Sequence, residues 1–336
     1  MTNKYAKARS VPDKRALPDM RLLTGVFMSL FIMILFFKSS ESAALWVSEG
    51  LKICAYKLIP SLFPFMAISS LIVSSGLGAI LGKMFRAPFN ALFGISGEGA
   101  CAVLLGWLCG FPVGAKCACE LYKDSKLTSA EYKRILCICG TPSPAFLVGT
   151  VGDAMLGSST GGMLLYAISI MSAAIIGIIM RIFGGVATSD SHFPSTNSKK
   201  VSHFSFANAL THSISDSAGS MLCVCAFVVF FSAFLGVLDS SLAFLNLSEL
   251  SDCLLFSFFE LTSGLSRISS STFTLSFPLC ALAVGWSGLS VHFQTVAICS
   301  DRPPALSNYL LCHLARALIC FILAYFVDSY IVLVFF

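Results

Sequence analysis

The sequence predicts an all-α polytopic membrane protein. It is built from two inverted repeats with re-entrant hairpins and broken helices, plus an extra N-terminal transmembrane helix. Of its 336 residues, 56% are hydrophobic and only 12% are charged, about half the charged share of a soluble domain. So few charges cannot cover a water-facing surface. No basic block with interleaved aromatic residues accompanies the net charge of +5, so nucleic acid is not expected as a partner.

The N-terminal region predicts a cytoplasmic tail and one anchor helix. Residues 1–21 carry six basic and two acidic side chains, and an excess of Lys and Arg is typical of cytoplasmic flanks. An apolar run at 22–38 follows them. No small-x-small cleavage site follows this run, so it predicts a retained transmembrane helix and not a removed signal peptide.

Two apolar segments about half the chain apart have similar sequences, and both are too short to cross a bilayer. Cys101–Trp107 and Cys280–Trp286 share four of seven positions, and a Gly-, Pro- or Ser-containing break follows each of them. Paired interrupted segments in the two halves of a membrane protein indicate a transporter-like site. Chance similarity between apolar helices is the alternative, because such helices are built from few residue types.

The first repeat is placed at 43–183 and begins with an interfacial amphipathic helix at 43–58. A span that opens at Pro60 follows this helix. The interrupted segment Glu98–Tyr122 has two arms of about ten residues, and neither arm crosses a core about 30 Å thick at about 1.5 Å per residue. These arms predict a re-entrant hairpin with its tip at Cys109–Gly114.

A broken helix and a full span complete the first repeat. Thr128 is a predicted N-cap with Glu131 as its capping-box partner. The helix is expected to break at Gly140–Pro144, where two prolines leave backbone carbonyls free. A span at about Gly162–Phe183 follows, and the polar residues 184–205 predict a cytoplasmic linker between the halves.

The second repeat is placed at 206–336. Phe206–Ser217 predicts an interfacial helix, Met221–Leu238 a span, and Thr272–Cys299 a second interrupted hairpin. A last long helix opens at Pro303. The charge bias of the loops makes the spans of the two halves run in opposite directions, which predicts an inverted repeat.

Five short motifs are distributed over roughly residues 44–325. They are Ile59–Phe65, Gly110–Lys116, Ser143–Thr150, Glu260–Gly264 and Gly288–Gln294. In combination they resemble the YlbJ-type sporulation integral membrane proteins, which carry the nucleoside-recognition (Gate) domain also found in concentrative nucleoside transporters. The resemblance implies two Gate-like repeats, a role in endospore formation in a Gram-positive bacterium, and a solute site between the two hairpins.

The candidate binding residues are polar or glycine-rich positions at these breaks. Ionisable groups at bilayer depth are usually functional or paired, and the ends of half-helices present free N–H and C=O groups to a ligand. The candidates are Gly110, Phe111, Pro112, Gly114, Lys116, Glu120, Ser143, Pro144, Glu260, Thr262, Gly264, Ser290, His292 and Gln294.

Structural alternatives exist for each of these candidates. Lys116 and Glu120 are spaced i, i+4, so they form either a ligand-facing pair or a self-neutralising pair. Glu260 is either a contact for a cation or hydrogen-bonding solute, or a partner of Arg267 or Arg316. For the glycines, tight packing of helices through small residues is the alternative.

Ser290, His292 and Gln294 alternate after a glycine break. In an unwound or extended stretch they share one face, which suits a hydroxyl-rich or base-like solute. Hydrogen bonds between membrane helices are the alternative. His292 and Glu260 lack a third ligand or an H-E-x-x-H pattern, so neither an enzyme nor a metal site is expected.

The fourteen cysteines are expected to be packing residues. The close pairs Cys117/Cys119, Cys137/Cys139 and Cys223/Cys225 are spaced i, i+2. Such side chains point in different directions on a helix and cannot jointly hold a metal ion.

The expected partners are the lipid bilayer and a small polar solute. A homo-oligomer or other sporulation membrane proteins are further options. No cofactor is expected, although a coupling cation such as sodium or a proton suits a solute transporter. The leading hypothesis is a transporter or binding protein of the cell membrane. The alternative is a non-transporting membrane scaffold that spore cortex or coat assembly requires.

The topology hypothesis has a direct test. Cysteines introduced at Ser10 and at Ser198 are expected to react with a membrane-impermeant maleimide only after the cells are permeabilised, because both segments are predicted to be cytoplasmic. The parent protein controls for labelling of the native cysteines. Labelling of the two positions from opposite sides contradicts the inverted repeat.

Overall fold

The computed structural model describes residues 20–75, 77–185, 205–242, 244, 248–300 and 302–335. Five helices in this part of the chain are long and apolar enough to cross a membrane, and a sixth span results if the bent pair α4–α5 counts as one. The helices are α1 (Met20–Lys38), α2 (Ser40–Ile53), α3 (Ile59–Ser74), α4 (Leu77–Phe93), α5 (Gly97–Cys109), α6 (Val113–Lys123), α7 (Ser129–Cys139), α8 (Ser159–Gly184), α9 (Phe206–Leu242), α10 (Glu249–Phe259), α11 (Leu261–Ser270), α12 (Ser276–Trp286), α13 (Leu289–Ile298) and α14 (Leu306–Phe335). The prediction of an all-α polytopic membrane protein is confirmed.

The predicted N-terminal tail, 1–21, and central linker, 184–205, are almost entirely outside the part of the chain that the structure describes. The predicted anchor at 22–38 is a helix, and most of its side chains are exposed. Its apolar part, Leu23–Lys38, is shorter than the ~20 residues that a span needs.

Two predicted boundaries between an interfacial helix and a span are wrong. The segments at 43–58 and after Pro60 form one helix, Ser40–Ile72, in which the π-helical turn Cys54–Leu58 joins α2 to α3. Prolines within membrane helices are tolerated where neighbouring helices and local π adjustments accommodate the backbone. The predicted break after Ser217 is also missing, because α9 runs unbroken for 37 residues.

The first predicted hairpin is present. Helices α5 and α6 are joined by residues 110–112 and pack closely along each other. A Cβ atom added at Gly114 would lie 2.6 Å from the Cα atom of Gly106, and one added at Gly106 would overlap the carbonyl oxygen of Cys139 in α7. Small residues therefore let three helices approach backbone to backbone, as is common in membrane proteins.

The predicted break after α7 is also present. Thr128 caps the helix, since its Oγ1 accepts a hydrogen bond of 3.1 Å from the Glu131 N–H. The buried Glu131 carboxylate accepts a further bond from the Ser96 N–H at the start of α5. The helix ends at Cys139, and after the break at 140–144 the chain resumes as the π-helical segment Ala145–Asp153.

The second hairpin lies one element earlier than the sequence predicts. Helices α12 and α13, in the predicted hairpin Thr272–Cys299, form one interrupted span over Ser276–Ile298. The antiparallel pair is instead α10–α11, which turns at Glu260. Gly264 packs on Ser257 and Arg267 pairs with Asp252, so matching positions on either side of the turn are in contact. A glycine break signals an interruption without specifying whether the chain continues or turns back.

The two longest helical segments, α2–α3 and α9, pack against each other. Gly50 allows this approach, because an added Cβ atom would lie 3.1 Å from the Cα atom of Val229. One apolar core surrounds the contact between α3 and α9 and extends to α8, α12 and α14. A second core is formed mainly by α4, α5, α6 and α7.

Close packing of the first hairpin predicts a strong effect of one methyl group. Gly106→Ala is expected to lower the stability by about 1–3 kcal/mol, because the added group overlaps the backbone of α7. The unfolding midpoint of the detergent-solubilised protein measures this effect. Gly219→Ala is the matched control, since a Cβ atom there meets nothing within 4 Å. An unchanged midpoint for Gly106→Ala contradicts the packing.

Candidate binding site at the helix breaks

A small cavity lies where the interrupted helices of the two halves meet. Its volume is about 30 Å³, which is room for about two water molecules. The predicted site residues Phe111, Ser143, Glu260, Thr262 and Gln294 all line it. The two halves of the sequence therefore contribute to one space.

The apolar wall of the cavity comes from the two long central helices. Leu58 and Leu62 of the first segment and Val224 and Val228 of α9 line it, each pair spaced i, i+4. This spacing places both members of a pair on one helix face. Polar groups thus enter the cavity mainly from the breaks, while continuous helices supply the hydrophobic surface.

Glu260 caps a helix at the edge of the cavity. Its Oε1 accepts a hydrogen bond from the Thr262 N–H at 3.0 Å, and its Oε2 accepts one from the Ser263 N–H at 2.6 Å. A carboxylate at a helix N-terminus satisfies free N–H groups and interacts favourably with the helix dipole. Neither alternative ion pair is formed: Arg267 pairs with Asp252 and Asp239, and Arg316 contacts no carboxylate of the described residues.

The first hairpin tip packs directly on the break after α7. The Phe111 N–H donates to the Thr141 carbonyl at 3.0 Å, and Ser143 Oγ accepts a bond of 3.2 Å from the Phe146 N–H. Gly110 has φ +79°, a backbone conformation that side chains disfavour. A Cβ atom at Gly110 would also lie 2.7 Å from the Ser143 nitrogen.

The other predicted positions around these breaks have packing or lining roles. Pro144 precedes the π-helical segment as its N-cap. Gly114 and Gly264 allow close helix contacts within their hairpins. Pro112 lines a second cavity of about 50 Å³ instead of the first.

Lys116 and Glu120 both line this second cavity, but Lys116 does not pair with Glu120 in the described structure. The Lys116 ammonium group contacts the carboxylate of Asp216 in α9, and Lys116 Nζ also donates to Ser220 Oγ at 3.4 Å. The predicted self-neutralising pair is therefore wrong. Lys116 joins the first hairpin to the second half of the protein.

The predicted common face of Ser290, His292 and Gln294 is wrong. These residues lie in α13, a regular helix, and side chains two positions apart on a helix point in different directions. Ser290 and Gln294 are i, i+4 neighbours, and Gln294 Nε2 donates to Ser290 Oγ at 3.3 Å. His292 lies 4.7 Å from the ring of His313, ring centre to ring centre, and does not line the cavity.

A buried polar cluster on α14 was missed by sequence reasoning. The fully buried Arg316 donates through Nη1 to the Gly140 carbonyl at 2.6 Å, a group that the break after α7 leaves free. His313 packs against the same glycine, and Tyr309 lies 3.3 Å from Nδ1 of His292. The spacing i, i+4, i+7 of Tyr309, His313 and Arg316 on an otherwise apolar helix was the available signal.

The tryptophans of the two matching segments form similar hydrogen bonds in different parts of the structure. Trp107 Nε1 donates to the Ile138 carbonyl at 3.0 Å, and Trp286 Nε1 donates to the Phe258 carbonyl at 2.9 Å. Each acceptor is the penultimate residue of a helix that ends at a break. Both indoles thus satisfy carbonyl groups that have no partner within their own helix.

Comparison with known proteins finds a distant relative, the sporulation integral membrane protein YlbJ of Bacillus subtilis (strain 168). It is 23% identical over 284 residues, which cover 75% of this chain and 69% of the relative. No family model matches the chain, and no solved structure matches it. The chain is a multi-pass integral membrane protein related to a sporulation membrane protein.

The capping role of Glu260 predicts a stability effect that depends on its oxygens. Glu260→Ala is expected to cost about 1–2 kcal/mol, because two N–H groups of α11 lose their acceptor, whereas Glu260→Asp keeps an N-cap acceptor. The unfolding midpoint and hydrogen exchange of the Thr262 and Ser263 amides measure the effect. Ser266→Ala, a change at an exposed position within α11, is the control. Unaltered exchange at both amides in Glu260→Ala contradicts the capping role.

Proposed function

We propose that this protein binds a small polar solute between the helix breaks and moves it across a membrane of a sporulating cell. One observation supports the proposal most strongly: residues from the first hairpin tip, the break after α7, the turn at Glu260 and helix α13 line one buried cavity. Such breaks bring free backbone groups and helix dipoles to a site inside the membrane. The relative with a named sporulation role supports the biological setting.

The cavity chemistry suits a solute that both donates and accepts hydrogen bonds. Glu260 uses two of the about four acceptor positions of a carboxylate for its own helix. The Gln294 amide contributes donors and an acceptor, and Ser143 contributes a hydroxyl group. The leucines and valines of the central helices cover an apolar face of the solute, as in most small-molecule sites.

Glu260 is the one ionisable side chain among the described residues that line the cavity. A coupling cation such as sodium or a proton would interact there, because a buried carboxylate attracts a positive charge in a low-dielectric setting. The proposal therefore gives Glu260 two roles: it caps α11 and faces the transported species. It assigns no enzymatic chemistry.

The proposal includes two structural repeats, with a register that differs from the sequence match. In each half a long helix is followed by a hairpin, an interrupted helix and a further long helix, and the first half has α4 as an additional helix before its hairpin. This order pairs hairpin α5–α6 with α10–α11, and the interrupted element after Ser129 with Ser276–Ile298. Leu58 and Leu62 then correspond to Val224 and Val228 across the cavity. Opposite orientation of the halves remains part of the proposal.

The small volume of the cavity favours a second candidate function. A space of about 30 Å³ holds about two water molecules, so a nucleoside-sized solute requires the lining helices to separate. A membrane scaffold for spore cortex or coat assembly needs no such movement. The two functions therefore differ in whether a solute opens the cavity.

A binding screen with a matched pair of variants tests the proposal. The purified protein is heated with nucleosides, amino acids or dicarboxylates, and a binding class is expected to raise the unfolding midpoint. Gln294→Leu removes the cavity amide at similar volume and is expected to weaken binding about tenfold. Phe293→Leu on the same helix, at an exposed position, is expected to leave binding unchanged.

Transport is measured with the solute class that shifts the midpoint. Proteoliposomes are expected to accumulate that solute, and Gln294→Leu is expected to reduce the initial rate while Phe293→Leu does not. A folded sample that no solute class stabilises overturns the proposal and favours the scaffold. Binding without uptake supports a binding protein instead of a transporter.

A further inference from the structure

A third and much larger space opens between α4, α5 and α6. Its volume is about 440 Å³, against about 30 Å³ for the central cavity. None of the residues that line the central cavity lines this space. We refer to it as the basic cleft, and its chemistry is independent of the proposed transport function.

Positive charge dominates the lining of the basic cleft. Lys83, Arg86 and Lys126 line it with a single carboxylate, Glu98. Lys126 contacts Asp124 at 3.0 Å, but Lys83 and Arg86 make no ion pair with any described residue. Free cations around a concave space favour an anionic ligand, and a guanidinium group matches the oxygens of a phosphate in a bidentate geometry.

The shape of the basic cleft follows from a sharp bend and from glycine contacts. Helices α4 and α5 meet at an angle of 90°. At their crossing, a Cβ atom on Gly82 would lie 2.5 Å from the Gly97 carbonyl oxygen. The close backbone contact leaves a concave surface next to it, and Cys101, Cys117 and Leu121 provide its apolar part.

Helix α4 also presents apolar side chains beside the cations. Ile80 is 62% exposed and Met84 is 65% exposed, and both lie within six residues of Lys83 and Arg86 on α4. A helix that is apolar on one face and basic on the other lies at the membrane interface, with its apolar face among the lipid chains. This combination of cations and exposed apolar side chains on α4 is typical of a helix at the level of the lipid headgroups.

We propose that the basic cleft binds the phosphate headgroup of an anionic phospholipid. Lys83 and Arg86 contact the phosphate oxygens, and Lys126 adds positive charge at the rim. The acyl chains lie along the exposed apolar residues of α4. Basic pockets between membrane helices bind anionic headgroups through this combination of charge and lipid access, whereas a site for free phosphate does not need the apolar border.

Native mass spectrometry of the purified full-length protein tests this proposal. The probes are phosphatidylglycerol, phosphatidylcholine with identical acyl chains, and the soluble compound glycerol 3-phosphate. Phosphatidylglycerol is expected to bind more tightly than phosphatidylcholine and to dissociate as the salt concentration rises. Lys83→Gln and Arg86→Gln are each expected to weaken its binding about fivefold.

Matched variants distinguish lipid binding at the basic cleft from a general effect of charge. Lys133→Gln removes an exposed cation that does not line the cleft and is expected to leave lipid binding unchanged. The pair Lys83→Arg and Arg86→Lys keeps both charges and is expected to retain binding, which controls for misfolding of the glutamine variants. Equal phosphatidylglycerol binding in the glutamine variants and the parent overturns the proposal. Displacement of the lipid by equimolar glycerol 3-phosphate also overturns it, in favour of a site for soluble phosphate esters.

Discussion

The structure depends on how the ends of its broken helices satisfy their backbone groups. Inside a membrane no water is available for these groups, so side chains and neighbouring backbone must supply the partners. Glu260 accepts from the start of α11, Arg316 donates to the Gly140 carbonyl, and the first hairpin tip bonds to Thr141. Glu260 serves its own turn, but Arg316 and the hairpin tip belong to other elements, so their bonds hold the break after α7 close to α14 and to that tip. The central cavity is the space that remains between the breaks.

Patterns within one element were predictable from the sequence, whereas relations between elements were not. The short length of the two arms and the glycines between them were sufficient to predict the first hairpin. The prolines at 140–144 correctly predicted an interruption. The hairpin at Thr272–Cys299 was misassigned because a glycine break does not determine the direction of the chain after it. The long helix α9 was divided wrongly, because Phe206–Ser217, which contains Asp216, was assigned to an interfacial helix. The charge of Asp216 is compatible with a half-buried helix surface, since Lys116 lies opposite it.

For the candidate site too, the residues were predictable one by one, whereas their contacts with other elements were not. Residues predicted from separate motifs, such as Phe111, Glu260 and Gln294, line one cavity, because all of them were selected at breaks. His292 was assigned to the wrong surface, since an extended backbone was assumed where α13 is helical. Arg316 was considered only as a partner for Glu260. Its actual acceptor is a backbone carbonyl, and no side-chain pattern in a sequence identifies such a partner.

The tryptophan bonds have a spectroscopic consequence. The chain contains three tryptophans, and two of them, Trp107 and Trp286, donate their indole N–H to the end of a helix that stops at a break. Rearrangement of either break would change the hydrogen bonding and polarity around one indole ring. The protein therefore carries two intrinsic fluorophores beside the elements that would have to move, and their emission can follow conformational change without an attached label.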